Sequence, residues 1–152
     1  MSDGNQYVRT AVAADASAVR TLTKAAYNKW VAVLGRAPLP MLADYESAVI
    51  NHQIDLLFTG NVLVGLIEMV FERDHLMIEN LAIDPDHQRK GNGKYLLQHA
   101  QGVACAKNMN VIHLLTNKLM TENVQLYLKN GYQIDREEPF MGGFTIHMSK
   151  KI

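Results

Sequence analysis

The spacing of apolar residues along the 152-residue chain predicts alternating helices and strands. Two apolar runs, residues 54–58 and 62–71, flank Thr59-Gly60-Asn61, a sequence typical of a hairpin turn. Apolar side chains in the second run fall on both parities, so we expect helices to cover both faces of that strand. Gly65 within the run indicates that another group approaches the backbone closely at this position.

The remaining segments extend the pattern to the order βααβββαβαββ. Pro40 suits the first turn of a second helix over residues 41–50, and residues 141–143 form the turn of a closing hairpin. The apolar faces are Val19, Leu22, Ala25 and Ala26 in the first helix, Leu96, Leu97, Ala100 and Ala104 in the third, and Leu119, Val124, Tyr127 and Leu128 in the fourth. The sequence therefore predicts a mixed α/β fold in a single domain, residues 1–152.

Composition narrows the class of protein. A chain that is 48% apolar and 20% charged is typical of a soluble globular protein. Lys+Arg and Asp+Glu each number 15, so no overall charge favours nucleic acid or an acidic membrane as a partner. No apolar run approaches the roughly 18 to 20 residues that cross a bilayer. "MSDGNQYVRT" lacks the apolar core of a signal peptide, and the single Cys105 suits a reducing compartment, so we expect a cytoplasmic protein.

The candidate chemistry is concentrated in the segment "IDPDHQRKGNGKYLL", residues 83–97. Asp84-Pro85 ends a strand, and Gln88–Lys94 then holds three cations and no acid. Glycines at two positions let the backbone approach a ligand, and the helix that follows offers free N–H groups to an anion. The pattern indicates a pyrophosphate-binding loop, and the alternative is a simple turn with a solvated basic face.

Two common nucleotide motifs do not fit this loop. The dinucleotide motif G-x-G-x-x-G requires a third glycine, which does not follow Gly91-Asn92-Gly93. The P-loop motif G-x-x-x-x-G-K-[ST] requires Ser or Thr after Gly93-Lys94, but Tyr95 follows. It also requires a glycine five positions before Gly93, and that position is Gln88.

The same residues resemble a known family. "QRKGNG", residues 88–93, is similar to the Q/R-x-x-G-x-G/A signature of the Gcn5-related N-acetyltransferases, the GNAT superfamily. It follows "NLAIDP", which resembles the end of that family's fourth strand, and "TENVQLYLKNGY" resembles its late helix. "VLVGLIEM" places Gly65 as the family's third strand does. The order of elements matches over nearly the whole chain. The resemblance implies a mostly antiparallel, twisted sheet flanked by helices, with strands four and five splayed apart.

The resemblance also implies acetyl-CoA, or another acyl-CoA, as co-substrate. The loop amides would bind the pyrophosphate, its cations would contact phosphate oxygens, and strand four would pair with the pantetheine arm as a pseudo-strand. Two asparagines of the late helix region would lie near that arm. The implied donor-site residues are Leu81, Ala82, Ile83, Gln88, Arg89, Lys90, Gly91, Asn92, Gly93, Lys94, Asn117 and Asn123.

Amine transfer requires a base on one side and a proton donor on the other. Tyr127 lies where the family often places its general acid, and the alternative is a core tyrosine bonded to a backbone carbonyl. Glu79 shares strand parity with Leu81 and is the candidate base, and the alternative is a solvated carboxylate or an ion pair. Glu68 and His75 are weaker candidates for the base.

Neither the histidines nor the cysteine suggests other chemistry. The six histidines lack metal-ligand spacing, so we expect no metal, and Cys105 has no nucleophile pattern. We therefore expect direct transfer of the acyl group within a ternary complex.

The acceptor side usually lies between the first and second strands in this family, here residues 30–52, where Arg36 is one polar candidate. Asp44 could pair with an ammonium and Tyr45 could stack on it, and the alternative is a helix-terminal Asp with a half-buried Tyr. The expected partner is a small-molecule or peptide amine. A non-catalytic acyl-CoA sensing module is the alternative function. Homodimers are common in the family, and the C-terminal hairpin is the candidate interface.

Overall fold

The computed structural model describes residues 5–152, so the first four positions of "MSDGNQYVRT" lie outside the described residues. Seven strands form one sheet in the order β1-β2-β3-β4-β5-β7-β6. The strands are β1 (Gln6–Thr10), β2 (Gln53–Thr59), β3 (Val62–Phe71), β4 (Leu76–Ile83), β5 (Val111–Asn117), β6 (Gln133–Phe140) and β7 (Gly143–Lys151). The helices are α1 (Ala16–Tyr27), α2 (Lys29–Leu34), α3 (Tyr45–Asn51), α4 (Asn92–Ala106) and α5 (Thr121–Lys129). No helix among these is long and apolar enough to cross a bilayer.

The predicted mixed α/β fold and its mostly antiparallel sheet are confirmed. Five of the six strand pairings are antiparallel, and only β4 and β5 run parallel. The turn residues act as predicted, since Gly60, Gly131 and Gly142 all take left-handed backbone angles at the ends of strands or helices. This conformation costs glycine little because it has no Cβ.

Three details of the predicted helices are wrong. The second predicted helix begins only at Tyr45, because Pro40 belongs to a separate 3₁₀ turn over Leu39–Leu42. A further short helix, α2, ends at the left-handed Gly35 and has no counterpart in the predicted order. Three side chains of the predicted apolar faces are exposed, because the stripes that pack are narrower than the patterns: Ala25, Leu119 and Leu128.

Helices cover both faces of the sheet, as the two-sided apolar pattern of β3 predicts. Ile67 packs with α4 and α5 residues in one buried cluster, and Leu66 packs with α1 and α3 residues in a second. At Gly65, a Cβ would lie 2.8 Å from Ile83 Cδ1 and 3.2 Å from the Ala82 carbonyl oxygen. The glycine therefore allows the close packing of β3 on β4 at the point where β4 ends.

The two parallel strands part after three residue pairs. Leu76–Ile78 pairs with Ile112–Leu114, and no pairing continues beyond these residues. On the other side of β4, the register with β3 shifts so that Asn80 faces Glu68 while Ile78 faces Met69. Glu79 is therefore the extra residue of a β-bulge, which increases local twist and bends the strand. The predicted splay between strands four and five is confirmed, and Glu79 lies where it begins.

Candidate active site

Two hollows meet at the gap between β4 and β5. The loop groove, about 590 Å³, lies between the Gln88–Lys94 loop and α5. The strand cavity, about 560 Å³, lies between the residues 34–52 segment and the separating strands. Both volumes are in the range of small-molecule sites. Their walls share four residues: Tyr27, Leu81, Asn123 and Tyr127.

The loop groove presents backbone N–H groups at the start of α4. Gly91 occupies the N-cap position with φ of 86°, and no side chain caps the helix. The first intrahelical bond runs from Tyr95 N–H to the Gly91 carbonyl, so the N–H groups of Asn92, Gly93 and Lys94 precede the ladder. These groups and the helix dipole together favour an anion at this position.

The side chain of Asn92 is committed to the fold. Its Nδ2 donates to the His87 carbonyl (3.0 Å) and its Oδ1 accepts from Gln6 Nε2 (2.8 Å). Asn92 is also buried, so it can offer a ligand only its backbone N–H. The bond from Gln6 connects the loop to β1, which is an edge strand of the sheet.

The predicted cations of the loop lie in different surroundings. Arg89 donates to Glu122 on α5 (2.9 Å), and Lys29 bridges Glu122 and Gln88 across the same groove. Lys94 lines the groove, whereas Lys90 does not. Neither Lys90 nor Lys94 forms an ion pair within residues 5–152.

The backbone of β4 alternates between its partner β3 and the gap. The Asp84 N–H donates to the Val64 carbonyl of β3. The Leu81 and Ile83 carbonyls instead accept from the side chains of Tyr27 (3.1 Å) and Gln88 (3.0 Å), which lie on the gap side. Antiparallel pairing alternates in this way, so Leu81 and Ile83 direct their N–H and C=O groups into the gap and Ala82 directs its own toward β3.

Tyr127 is buried between the two hollows. It is 5% exposed, packs edge-on against Tyr132, and has no hydrogen-bond partner for its hydroxyl among the described residues. Burial raises the pKa of Tyr127 above its ordinary value, so the hydroxyl keeps its proton at neutral pH. The backbone hydrogen bond of the alternative reading is made by Tyr27, not by Tyr127.

Two glutamates and a histidine line one wall of the strand cavity. Glu68 is 5% exposed, and His52 Nδ1 lies within hydrogen-bond distance of its Oε2 (2.6 Å). Glu79 has no hydrogen-bond partner or ion pair in the described part of the chain. Partial burial, and then the negative charge of Glu68, raise the pKa of Glu79.

The parity argument for Glu79 does not hold, because the bulge interrupts the alternation between Glu79 and Leu81. Glu79 nevertheless lines the strand cavity at the gap. His75, the weaker candidate for a base, lies at the opposite end of β4, where it contacts Asp74 and the ring of His113.

Comparison with known proteins assigns the chain to one family. The family model described as "Acetyltransferase (GNAT) domain" matches residues 48–134, more than half of the chain. The chain belongs to the GNAT family. The match includes β4, the glycine-rich loop and α5, and leaves Arg36, Asp44 and Tyr45 outside it.

Solved structures of GNAT acetyltransferases share the fold over nearly the whole chain. One is the PaiA N-acetyltransferase of Thermoplasma acidophilum in complex with coenzyme A, with 17% identity, a TM-score of 0.82, and coverage of 97% of this chain and 99% of that one. Another is the ribosomal-protein-S18-alanine N-acetyltransferase of Escherichia coli, with 17% identity, a TM-score of 0.78, and coverage of 97% and 94%.

A curated relative is the uncharacterized protein YxbD of Bacillus subtilis, which is 33% identical over 81 residues. The match covers 53% of this chain and spans half the length of that relative.

The three acceptor-side candidates from the sequence, Arg36, Asp44 and Tyr45, all line the strand cavity of this GNAT chain. Asp44 caps α3, because its Oδ1 accepts from the Ser47 N–H (3.2 Å). Tyr45 is 1% exposed, and its hydroxyl donates to the Pro40 carbonyl (2.7 Å) and accepts from Asn80 Nδ2 (3.2 Å). Burial raises the pKa of Tyr45 to about 12. The helix cap of the alternative is therefore present, whereas Tyr45 is fully buried rather than half-buried.

The remaining predicted residues divide between the two hollows. Asn123 lines both, whereas Asn117 lines only the strand cavity, and its Oδ1 accepts from the Leu119 N–H. Cys105 is exposed on α4 and lines neither. Within residues 5–152, no group of three or more His, Cys, Asp or Glu side chains is arranged to hold a metal ion.

Sequence reasoning missed several residues of these walls. Tyr27 and His52 gave no local signal, because each acts through a partner that is distant in the chain. Asn80 Oδ1 and Thr116 Oγ1 are buried in the cavity wall without a hydrogen-bond partner in the described chain. A buried polar residue next to Glu79 in an apolar strand is a signal that could have identified Asn80.

Proposed function

We propose that this chain transfers an acyl group, most simply acetyl, from acyl-CoA to an amine by direct attack within a ternary complex. The observation that carries the proposal is the meeting of the two hollows at the β4–β5 gap. The loop groove supplies the anion site for the pyrophosphate of the donor, and the strand cavity supplies space and carboxylates for an amine. At the junction, an amine in the strand cavity would reach the thioester carbonyl of a donor bound in the loop groove.

On the donor side, the proposal uses mainly the backbone. The N–H groups of Asn92, Gly93 and Lys94 would bind pyrophosphate oxygens, with Lys94 and Arg89 adding positive charge. The gap-facing N–H and C=O groups of Leu81 and Ile83 would pair with the amides of the pantetheine arm, because an exposed strand edge accepts an extended, amide-bearing chain.

The chemistry proposed at the junction balances one proton on each side. Glu79, directly or through a water molecule, accepts a proton from the amine as its nitrogen attacks the thioester carbonyl. The tetrahedral intermediate then expels the CoA sulfur, and the carbon–sulfur bond breaks. Tyr127 donates its proton to the departing thiolate. The amide and free CoA are the products.

Two measurements test this proposal. CoA should raise the melting temperature of the protein, because a ligand of the native state stabilises it by mass action. Thiol release from acetyl-CoA, followed across a panel of amines, should require an amine and give intersecting initial-velocity patterns. The protein mass should be unchanged after incubation with acetyl-CoA alone, since Cys105 lies outside both hollows.

The outcomes separate the two candidate functions. Parallel velocity patterns with a trapped acyl-enzyme would contradict direct transfer. A melting temperature that CoA leaves unchanged would contradict any acyl-CoA function. A clear stabilisation by CoA without thiol release from any amine would support the sensing module instead. Cytoplasmic location, the absence of a metal and a homodimer stay predictions.

A further inference from the structure

Six acidic or basic residues line the strand cavity, and most of them already have partners. The six are Arg36, Asp44, His52, Glu68, Glu79 and Glu138. Glu68 bonds to His52, Asp44 accepts from the Ser47 N–H, and Glu138 contacts His147 and Arg136. Among the described residues, Glu79 is therefore the one carboxylate of this set without a hydrogen-bond partner, and Arg36 is the one cation without a charged partner.

Arg36 is held in place without using its hydrogen-bonding capacity. The residue is half-buried, and its guanidinium carbon lies 5.5 Å from the centroid of the Phe140 ring. Its Nη1 donates only to the carbonyl of the adjacent Ala37 (3.3 Å). A guanidinium has five N–H donors in a planar fork, so most of them are free. Stacking on an aromatic ring orients this fork at low entropic cost, which suits bidentate binding of a carboxylate.

Another part of the cavity wall suits an amine. Glu79 lies at the gap, and two other residues of the cavity wall, Asn80 and Thr116, have buried side-chain oxygens without a hydrogen-bond partner among the described residues. An amine nitrogen beside Glu79 would meet a carboxylate that has no partner in the described chain. The cavity wall also includes apolar side chains, among them Leu34, Leu39 and Leu115.

Resting on the proposed acyl transfer, we propose that the acceptor is a small zwitterion, a primary amine that carries a carboxylate in the same molecule. Its amine lies at Glu79 and the β4–β5 gap, and its carboxylate is bound by Arg36 over the Phe140 ring. A polyamine fits less well, because the Arg36 guanidinium would repel a second ammonium group placed beside it.

The test compares amino acids with their own carboxamides as acceptors for acetyl-CoA. Leucine, phenylalanine, β-alanine and 4-aminobutyrate are each paired with the corresponding amide, and thiol release gives KM and kcat. The carboxamide of an amino acid is the less basic amine, so the chemistry alone favours the amide. We expect the opposite order for at least one pair, with a KM for the carboxylate lower by about 10- to 100-fold.

Arg36→Gln should abolish this difference, mainly through KM rather than kcat. Arg36→Lys should retain part of it, because a lysine keeps the charge but not the fork. The matched control is Arg20→Gln. Arg20 pairs with Glu46 and lines neither hollow, so the preference for the carboxylate should remain. Circular dichroism and the melting temperature establish that each variant is folded.

The two proposals fail in different ways. Turnover of amides as readily as of carboxylates, or a preference that survives Arg36→Gln, overturns the zwitterion proposal and leaves acyl transfer intact. If no amine releases thiol, binding still decides the question. N-acetylleucine should then raise the melting temperature of the CoA-saturated wild type, and its carboxamide and the Arg36→Gln variant should show no such rise. Equal shifts in all three would overturn the proposal.

Discussion

The loop groove and the strand cavity have similar volumes, about 590 and 560 Å³, but the chain builds them in different ways. The groove depends on backbone groups from one continuous stretch, Gln88–Lys94, together with the end of β4. The cavity depends on side chains from positions as distant as Arg36, Glu79 and Phe140. A backbone site leaves a contiguous signature in the sequence, and a side-chain site assembled by long-range contacts does not. The family match covers the loop and omits Arg36, which agrees with this difference.

The largest effect is expected in the cavity, from Glu79→Gln. If Glu79 is the base, kcat in the thiol-release assay falls by about 100- to 10,000-fold, because proton transfer from the amine loses its acceptor. The increase in melting temperature that CoA produces should not change, since Glu79 lies outside the groove. Glu46→Gln, at a residue that lines neither hollow, is the matched control. A loss of less than tenfold would assign the base elsewhere.

Glu68→Gln sharpens this test through pH. The base must be ionised, so activity decreases as the pH falls through the pKa of Glu79. The charge of Glu68 contributes to raising that pKa, so its removal should move the acidic limb of the kcat/KM profile to lower pH. If the acidic limb of the profile does not move in Glu68→Gln, the group whose titration controls the rate is not Glu79.

A smaller loss is expected from Tyr127→Phe, at the junction of the two hollows. The leaving thiol is far more acidic than an amine, so its departure depends less on a proton donor. We expect kcat to fall by about 100-fold, near the lower end of general-acid effects. Tyr132→Phe is the matched control, because its ring packs on Tyr127 and its hydroxyl is buried without a partner. That variant should keep both stability and turnover, and equal losses in the two variants would indicate a packing role for Tyr127.

In the loop groove, Gly91→Ala should weaken CoA binding. The left-handed conformation of Gly91 (φ of 86°) costs an L-residue about 1 to 2 kcal/mol, although no atom lies within 4 Å of the added Cβ. A loop that relaxes to relieve this strain turns its N–H groups away from the anion site. The dissociation constant of CoA, measured by calorimetry, should therefore rise by up to about tenfold.

Gly102→Ala within the same helix is the control for this variant. Gly102 has an ordinary helical φ and open space around it, so alanine should stabilise the protein by about 0.8 to 1 kcal/mol and leave CoA binding unchanged. If Gly91→Ala binds CoA as the wild type does, the loop conformation is not what holds the donor.

The smallest effect is expected from Glu122→Gln at the mouth of the groove. Glu122 pairs with Arg89 and Lys29, and these contacts lower its pKa. A lowered pKa means that this carboxylate stabilises the folded state at neutral pH, and that the contribution disappears as the pH falls through that pKa. The pairs are exposed, so the free energy of unfolding should change by less than about 1 kcal/mol.

The same variant should bind CoA a few-fold more tightly at low salt, because both cations become available to phosphate, and the gain should shrink as salt is added. Glu137→Gln removes a comparable exposed pair with Lys118, outside both hollows, and should leave CoA affinity unchanged. Weaker CoA binding in Glu122→Gln would mean that Glu122 helps to position Arg89 for the donor.

Much of the fold could be predicted because its signals are local. Gly60-Asn61 and Asn130-Gly131 mark the ends of elements through backbone conformation, and the two-sided apolar pattern of β3 requires two helix layers. The limits of α3 could not be predicted in the same way, because Pro40 is compatible with either a helix start or a 3₁₀ turn.

The site was predictable only in part for a similar reason. The bulge at Glu79 changes which residues of β4 share a face of the sheet, and no residue type in "LMIENLAI" indicates that a bulge is present. The pairing of Glu68 with His52 and the bonding of Asn92 to Gln6 depend on the sheet being assembled. The backbone role of the loop follows from its own residues, whereas the charges of the cavity could be matched only after their partners were located.

The gap between β4 and β5 divides the seven-stranded sheet into two halves, β1–β4 and β5–β7, with few residue pairs between them. Within the described residues, three register pairs join β4 to β5, whereas seven join β5 to β7. A molecule bound across the open part of the gap would link the two halves of the sheet. Its binding would stiffen the whole sheet, and amide hydrogen exchange would then slow in strands that the molecule never touches.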